Sequence, residues 1–323
     1  MYPPWTTPEA AAEILKQGGI VAIPTETVYG LAGNAYDSKA LSKIFEAKKR
    51  PHFDPLIVHI AAIEELSNVA HDIPEKAQLL AKAYWPGPMT LVLPKKDSIP
   101  DLATSGLPTV AVRFPNHPVA QKIIRLAGIP LAAPSANLFQ HVSPTTAEHV
   151  AEQLGSAIDG IVDGGACLVG VESTIISFPD GEPVILRPGG ITPEMVQKVA
   201  GSVQLHKSTS NPKGPLPAPG MIDRHYRPQV SLFYGKIPTG AKIPAGTVRI
   251  AFGSEESPVP PTANLSPSGN LCEAAANLYS LMRQMDKPEN KLILVDSIPN
   301  EGVGIACNDR LKRAAIRQWP ESF

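Results

Sequence analysis

The chain has 323 residues, 43% of them hydrophobic and 18% charged. That composition excludes a disordered polymer, and the length allows two domains with cores of their own. With 29 basic and 30 acidic residues the net charge is −1, which argues against tight stand-alone RNA binding, since proteins that grip phosphate carry a basic excess.

No apolar run approaches the ~20 residues needed to span a bilayer. The N-terminus shows no basic segment followed by an apolar core. The three cysteines, Cys167, Cys272 and Cys307, are scattered, lack zinc spacing and read as small buried hydrophobes. The expectation is a cytoplasmic protein without a membrane segment or a metal site of its own.

In chain order, Thr7-Pro8-Glu9 predicts a capped helix start and Gly18-Gly19 its stop. Ile20-Val21-Ala22-Ile23 is short enough to be a buried strand, with Thr25-Glu26-Thr27 at its exit. Asp37 or Ser38 caps a helix carrying Leu41, Ile44 and Phe45 at helical spacing, and Pro51 stops it. Leu56-Ile57-Val58 is a second strand, with His59 at its end. A helix follows over 75–84, then the stiff turn Trp85-Pro86-Gly87-Pro88, strands over 89–93 and 109–114, a helix over 117–127 and the short strand Leu131-Ala132-Ala133. Ser143-Pro144 opens a helix to about Leu154, with Ser143 as its cap. Strands over 158–162, 173–178 and 184–186 and a helix from Thr192 to about Gly201 complete the first unit. Helices and strands interleave, but the last three strands follow one another directly. This predicts the α/β class with an α+β-like mixed sheet. Neither glycine-rich nucleotide loop is present.

From about Ser208 the pattern stops in STSNPKGPLPAPGMIDRHYRP, too long for a loop inside a compact domain. The expected division is 1–207, a linker over 208–229, and a smaller α/β domain over 230–323. In the smaller unit, strands are expected over 231–234, 248–252 and 292–296, and helices over 270–285 and 307–318.

Several polar residues fall at element ends. Arg50 precedes Pro51 and is biased to extended chain, so Lys48 and Arg50 are expected to point to one side and converge on one anion. The alternative is that they only complement the helix dipole, worth about 0.3–1 kcal/mol each. Alternation along 109–114 puts Thr109, Ala111 and Arg113 on one face, and Ser135 and Asn137 share a side after their strand. A plain polar turn is the alternative there. Arg187 also precedes a proline.

PTETVYGL, the KxRP element Lys48-Lys49-Arg50-Pro51, PLIVHI and the SxN element Ser135-Ala136-Asn137 occur in that order. In these motifs, across nearly the whole chain, the sequence resembles the YrdC-like family, whose two-domain members are threonylcarbamoyl-AMP synthases. The resemblance implies a YrdC-like first domain, a Rossmann-like second one, and condensation of L-threonine, bicarbonate or CO2, and ATP with release of pyrophosphate. The product would serve another enzyme complex that modifies tRNA. Magnesium would accompany ATP, and direct RNA binding would be weak at most.

By the same resemblance, Lys48 and Arg50 are the catalytic, charge-neutralising pair. Arg50, Asp54, Thr109, Ser135, Asn137, Ser143, Arg187 and Tyr226 belong to the ATP site. Thr27, His59, Arg113, Ala133 and Ser173 face threonine, with Arg113 on its carboxylate. Pro219-Gly220-Met221 and His225-Tyr226 resemble a linker signature that folds over the site. Asp54 departs from the family, which commonly has Asn there, and KKRP replaces KGRP. Asp309-Arg310-Leu311-Lys312-Arg313 also matches a family element, read as a solvated helix face. Two other readings stand beside the synthase: a non-catalytic RNA-binding module, and a carbamoyl-transfer enzyme of hydrogenase maturation. Relatives of the latter carry cysteine clusters and an acylphosphatase-like segment that this sequence lacks.

Overall fold

A computed structural model describes residues 4–206, 216, 218–238, 240–254, 257–316 and 319. Of the expected linker, residues 208–215 and 217 lie outside the described residues, as do residues 317–318 at the end of the last expected helix.

Among the described residues ten strands form one mixed sheet. In spatial order they are Gln204–Leu205, Val184–Arg187, Thr174–Ser177, Met89–Pro94, Thr109–Arg113, Ile57–His59, Leu131–Ala132, Gly30–Asn34, Val21–Ile23 and Gly160–Ile161. Parallel and antiparallel pairs alternate irregularly, as the consecutive strands in the sequence predicted. Register then does something that alternation along a single strand does not reveal. His59 lies opposite Arg113, Arg113 opposite Thr90, Thr90 opposite Ile175, and Ile175 opposite Arg187. Five strands thus bring one row of side chains across the sheet.

The two faces of that sheet differ. Val58, Leu91, Val110, Val112 and Ile176 belong to the main core, packed with the helices. The opposite face carries Ile57, Val92, Ala111 and Ile175, covered by Leu216, Ala218 and Met221 from the expected linker. Burial on that second face comes from a chain segment, not a helix.

Asp37 caps the helix Ser38–Lys48, accepting from the Lys39 amide at 2.9 Å, and Ala40, Leu41, Ile44 and Phe45 are buried along it. Lys49 then turns into the left-handed region at φ 51°. The chain at Lys48-Lys49-Arg50 is therefore not extended, and Lys48 and Arg50 reach different targets. Ser143 caps no helix: the helix is Ala147–Leu154, capped by Thr146. The strand Gly30–Asn34 went unread because Gly and Asn disfavour strands, yet it is paired on both edges.

Among the described residues the second unit has a four-stranded parallel sheet ordered Leu232–Tyr234, Leu292–Val295, Thr247–Ala251 and Ala263–Asn264. The helices Leu271–Met285 and Gly304–Ala314 supply Leu278, Met282, Cys307 and Leu311 to its core. That core also takes in Val28, Val142 and Val171 from the first unit, so the two units share apolar packing. Cys167 and Cys307 are buried as expected, whereas Cys272 is exposed. No helix among the described residues is long and apolar enough to cross a membrane.

Candidate active site

A cavity opens where the row of side chains meets the segment that covers it. Arg50, Arg113 and Arg187 line it, with Ser135, Ser173 and Tyr226. Its free volume is about 50 Å³, room for one or two waters, whose share of liquid volume is about 30 Å³ each. Pro219, Gly220, His225 and Tyr226 form part of its wall. The segment in this position covers part of the site.

Arg113 is held at one end. Its Nη1 donates to Thr27 Oγ1 at 2.9 Å. Its Nη2 lies 2.8 Å from Glu26 Oε1, a charge contact without hydrogen-bond angle, and Nε and Nη2 make no hydrogen bond among the described residues. Nε thus has no partner among the described residues and Nη2 only the Glu26 charge, on a guanidinium whose fork matches a carboxylate. His59 beside it is buried, with Nδ1 3.2 Å from the Ile57 carbonyl. Burial first, then the Arg113 charge, push its pKa down to about 3, so the imidazole is neutral. Ala133 lines the same cavity through backbone and methyl. Ser173 Oγ is 2.7 Å from Thr90 Oγ1.

The other end is richer in cations. Arg187 donates through Nη2 to the Ser173 carbonyl at 2.9 Å and through Nη1 to Pro219 O at 3.2 Å, tying a strand end to the covering segment. Arg50 donates to the carbonyls of Asp54 and Pro55 at 3.1 and 2.7 Å, and its Nη2 lies 2.9 Å from Asp54 Oδ2. Burial raises the Asp54 pKa, while Arg50, the facing Gly220 amide, Lys48 and Arg187 pull the other way. Asp54 does not line the cavity; it stands behind Arg50.

Lys48 is 1% exposed and lies behind the wall as well. Its ammonium donates to the Ser135 carbonyl and, at 2.6 Å, to the Asn137 carbonyl. Burial, then the neighbouring Arg50, lower its pKa well below the ordinary lysine value. Lys48 therefore pins the SxN turn from beneath. Asn137 folds back onto the carbonyls of Leu138 and His141 at 2.8 and 2.9 Å. Thr109 is on the same sheet face as Arg113 but about 13 Å along the strand, at ~3.3 Å per residue, and lies outside the cavity. Ala111, between them, is beneath the covering segment.

Glu172 was not singled out as a site residue. It lines the cavity and is bonded to Ser143 and to two side chains of the second unit, Tyr279 and Arg310. The expected solvated face around Arg310 is wrong, because Arg310 is 0% exposed. Only its match to a family element singled it out, and its partner Glu172 lies 138 residues away in the sequence. His225 and Tyr226, expected over the site, are buried against it.

A roomier depression lies elsewhere, about 500 Å³ at the carboxyl ends of the second sheet. Lys236, Arg249 and Asp296 are its charged lining residues, and the last two are paired with each other at 2.9 and 2.6 Å. No group of three or more His, Cys, Asp or Glu residues among the described residues is placed to hold a metal.

The fold and the cavity define a two-unit α/β protein in which three arginines from separate strands and loops line one partly covered, cationic site. A family model described as "Telomere recombination", covering Sua5, YciO and YrdC proteins, matches residues 13–189. A second, "Threonylcarbamoyl-AMP synthase, C-terminal domain", matches residues 191–316. The chain is 42% identical to the threonylcarbamoyl-AMP synthase of Pyrococcus abyssi over 94% of its length and 93% of the relative's. It is 43% identical to that of Bacillus subtilis over 94% and 92%. Among solved structures it is similar to P. abyssi Sua5 complexed with L-threonine, with a TM-score of 0.86, 41% identity, and coverage of 95% of this chain and 94% of that one. The chain belongs to the Sua5, YciO and YrdC family, in the form that carries the threonylcarbamoyl-AMP synthase C-terminal domain.

Proposed function

We propose that this protein is a threonylcarbamoyl-AMP synthase that condenses L-threonine, bicarbonate or CO2, and ATP into threonylcarbamoyl-AMP and pyrophosphate. The observation that carries the reading is a buried Arg113, with donors left for a carboxylate, in one cavity with Arg50 and Arg187. The names of its relatives support it.

Arg113 binds the amino-acid carboxylate, with Thr27, neutral His59, Ala133 and Ser173 around the side chain. The amine adds to CO2 with loss of a proton, or to bicarbonate with loss of water, to form a carbamate, and a carbamate oxygen attacks the α-phosphorus as pyrophosphate leaves. Arg50 and Arg187 offset the charge that builds on the phosphate oxygens. Lys48 acts through the turn it pins, holding Ser135 toward the phosphates. Thr109, at the far end of the strand, and Tyr226 belong to the nucleotide. Ser143 and Asn137 support it through Glu172 and the turn backbone. Asp54, Glu26 and Glu172 each lie against a guanidinium, so these carboxylates are already paired among the described residues. Magnesium enters as part of the ATP substrate.

The reading assigns catalysis to 1–207, closure to 208–229 and a supporting role to 230–323. The segment opens to admit substrates and closes to exclude water from a labile intermediate. The product goes, in the cytoplasm, to a separate complex that modifies an adenosine of tRNA, and contact with RNA by this chain is weak at most.

The test is pyrophosphate release from ATP with bicarbonate across all amino acids, repeated with Lys48→Ala and Arg50→Ala and with thermal midpoints as folding controls. Release should require threonine and fall by about 10²-fold or more when Arg50 is lost, as for removal of one transition-state donor. Threonine-independent release, or full activity in both variants, overturns the assignment.

A further inference from the structure

The second sheet carries a crevice that the reaction in the first unit does not use. Its strands Leu232–Tyr234 and Leu292–Val295 are parallel neighbours. From the former the chain passes the latter to reach Thr247–Ala251, further along the sheet. From Leu292–Val295 it runs the other way, through the helix Gly304–Ala314, until the Ile316 amide donates to the Leu232 carbonyl at 2.8 Å on the outer edge. Two adjacent strands thus send their connections in opposite directions. In open parallel α/β sheets such a divergence opens a crevice at the carboxyl ends, and ligands bind there. The depression of about 500 Å³ lies at that point, between Gly235 and Lys236 after one strand and Asp296 and Ser297 after the other. That volume falls within the ~300–1,000 Å³ of small-molecule pockets.

The floor of the crevice is polar. Ile250, Ile293 and Val295 pack with the helices, while Arg249, Leu294 and Asp296 alternate with them and line the crevice on the other face. Arg249 and Asp296 are 2% and 7% exposed. Arg249 also donates through Nη1 to the Val259 carbonyl at 3.1 Å, which fixes the pair in place. Asp296 Oδ2 accepts from Arg249 Nη2 and from the Phe252 amide, whereas Oδ1 accepts from Arg249 Nε alone. A carboxylate oxygen has two acceptor positions, so Oδ1 keeps one for a further donor. A buried ion pair is weak evidence for stability, but an acceptor held rigidly at the base of a pocket suits a ligand hydroxyl. Ile237, Ile243 and Pro258 supply an apolar wall, against which a flat ring packs. The connection from Leu232–Tyr234 to Thr247–Ala251 contains no helix among the described residues, so no helix N-terminus is offered to a phosphate chain. Lys236 is the exposed cation at the rim, and one ammonium matches one phosphate group.

We propose that this crevice is a second small-molecule site, and that its ligand is a nucleoside monophosphate. The ring lies on the Ile237 and Ile243 wall, a ribose hydroxyl donates to Asp296 Oδ1, and the phosphate sits at Lys236. The proposal goes beyond the synthase reading and does not depend on it.

The experiment is hydrogen exchange on the full chain with AMP, adenosine or inorganic phosphate at millimolar concentration. The location of protection separates this crevice from the cavity of the first unit. AMP should slow exchange at 235–237 and 296–298, and adenosine and phosphate should each need about tenfold more for the same effect, the loss of one charge-assisted contact. Ile243→Trp fills the crevice from a position that is already 37% exposed, and Ser297→Tyr fills it from the opposite wall. Both should keep the wild-type thermal midpoint and lose the protection at 235–237, while any effect of AMP at 133–137 in the first unit stays as in wild type. Lys236→Glu should weaken AMP by about tenfold and leave adenosine unchanged.

Absence of AMP-dependent protection at 235–237 and 296–298 in the wild-type chain overturns the site. Protection that survives in both filled variants overturns its location. Phosphate acting as well as AMP reduces the crevice to a simple anion site, and adenosine acting as well as AMP removes the phosphate from the recognition; either result overturns the nucleotide assignment.

Discussion

His59 and His225 are buried, and burial first of all pushes both pKa values down to about 3. An unfolded histidine titrates near 6.5. Between these values the unfolded chain binds more protons than the native one, so stability rises with pH across the window and is lost on acidification. From pH 6.5 to 5 the loss approaches about 2 kcal/mol for each such histidine. Urea midpoints measured over that range should fall with pH, and His59→Gln should flatten the slope. Glu172 adds a separate acid-side term. Burial alone would raise its pKa, but Arg310, Arg187 and Ser143 outweigh it and hold it at about 2. Its contribution is present above about 4.5 and is lost as pH falls toward 2. At this scale the sequence placed Arg113 and His59 at the ends of strands, while their roles, like that of Ser173, came from the family resemblance; all three line the cavity. Lys48 was readable as important but not as buried, because the carbonyls that hold it are 87 and 89 residues away.

Elements were legible where their period was long or their caps were strong. The helices Glu75–Tyr84 and Leu271–Met285, the latter capped by Asn270, lie close to where their spacing and caps put them. Two-residue strands such as Gln204–Leu205 and Ala263–Asn264 have no period to read. The turn after the strand Val184–Arg187 shows how tightly elements fit at the site. A Cβ on Gly189 would come within 2.3 Å of the Glu172 carbonyl oxygen and of the Thr174 amide nitrogen. Those are backbone atoms of the neighbouring strand end and have nowhere to go. Gly189→Ala should cost about 1–3 kcal/mol, as overpacking does, and should draw Arg187 away from the Ser173 carbonyl. A lowered urea midpoint with a raised KM for ATP is the expected pair of results, and an unchanged KM would count against a wall held by this turn.

Across the whole molecule, the two units are joined by the shared core and by the Glu172–Arg310 pair. Gly170 is a point of close backbone approach between them. It has φ +75°, and a Cβ there would meet the Ala275 carbonyl oxygen at 2.3 Å and Ala276 Cα at 2.5 Å, both in the helix Leu271–Met285. Gly170→Val should push that helix off the first unit. Hydrogen exchange should then quicken at Tyr226, Tyr279 and Arg310, while the central strands Met89–Pro94 and Thr109–Arg113 stay protected. Uniform quickening would indicate general unfolding instead. By itself the sequence determined the mixed α/β class, the family, the strand exits that carry polar side chains, and a covering segment with His225 and Tyr226. Each is written in neighbouring residues, through period, caps and short motifs. Only the tertiary structure decided that Lys48 and Arg50 part ways, that Ser143 bonds a carboxylate instead of capping a helix, and that Arg310 is buried in the site's support. The physical reason is separation along the chain. Glu172 and Arg310 are 138 residues apart, and a charge whose partner lies that far away looks, in its own stretch of sequence, like any exposed one.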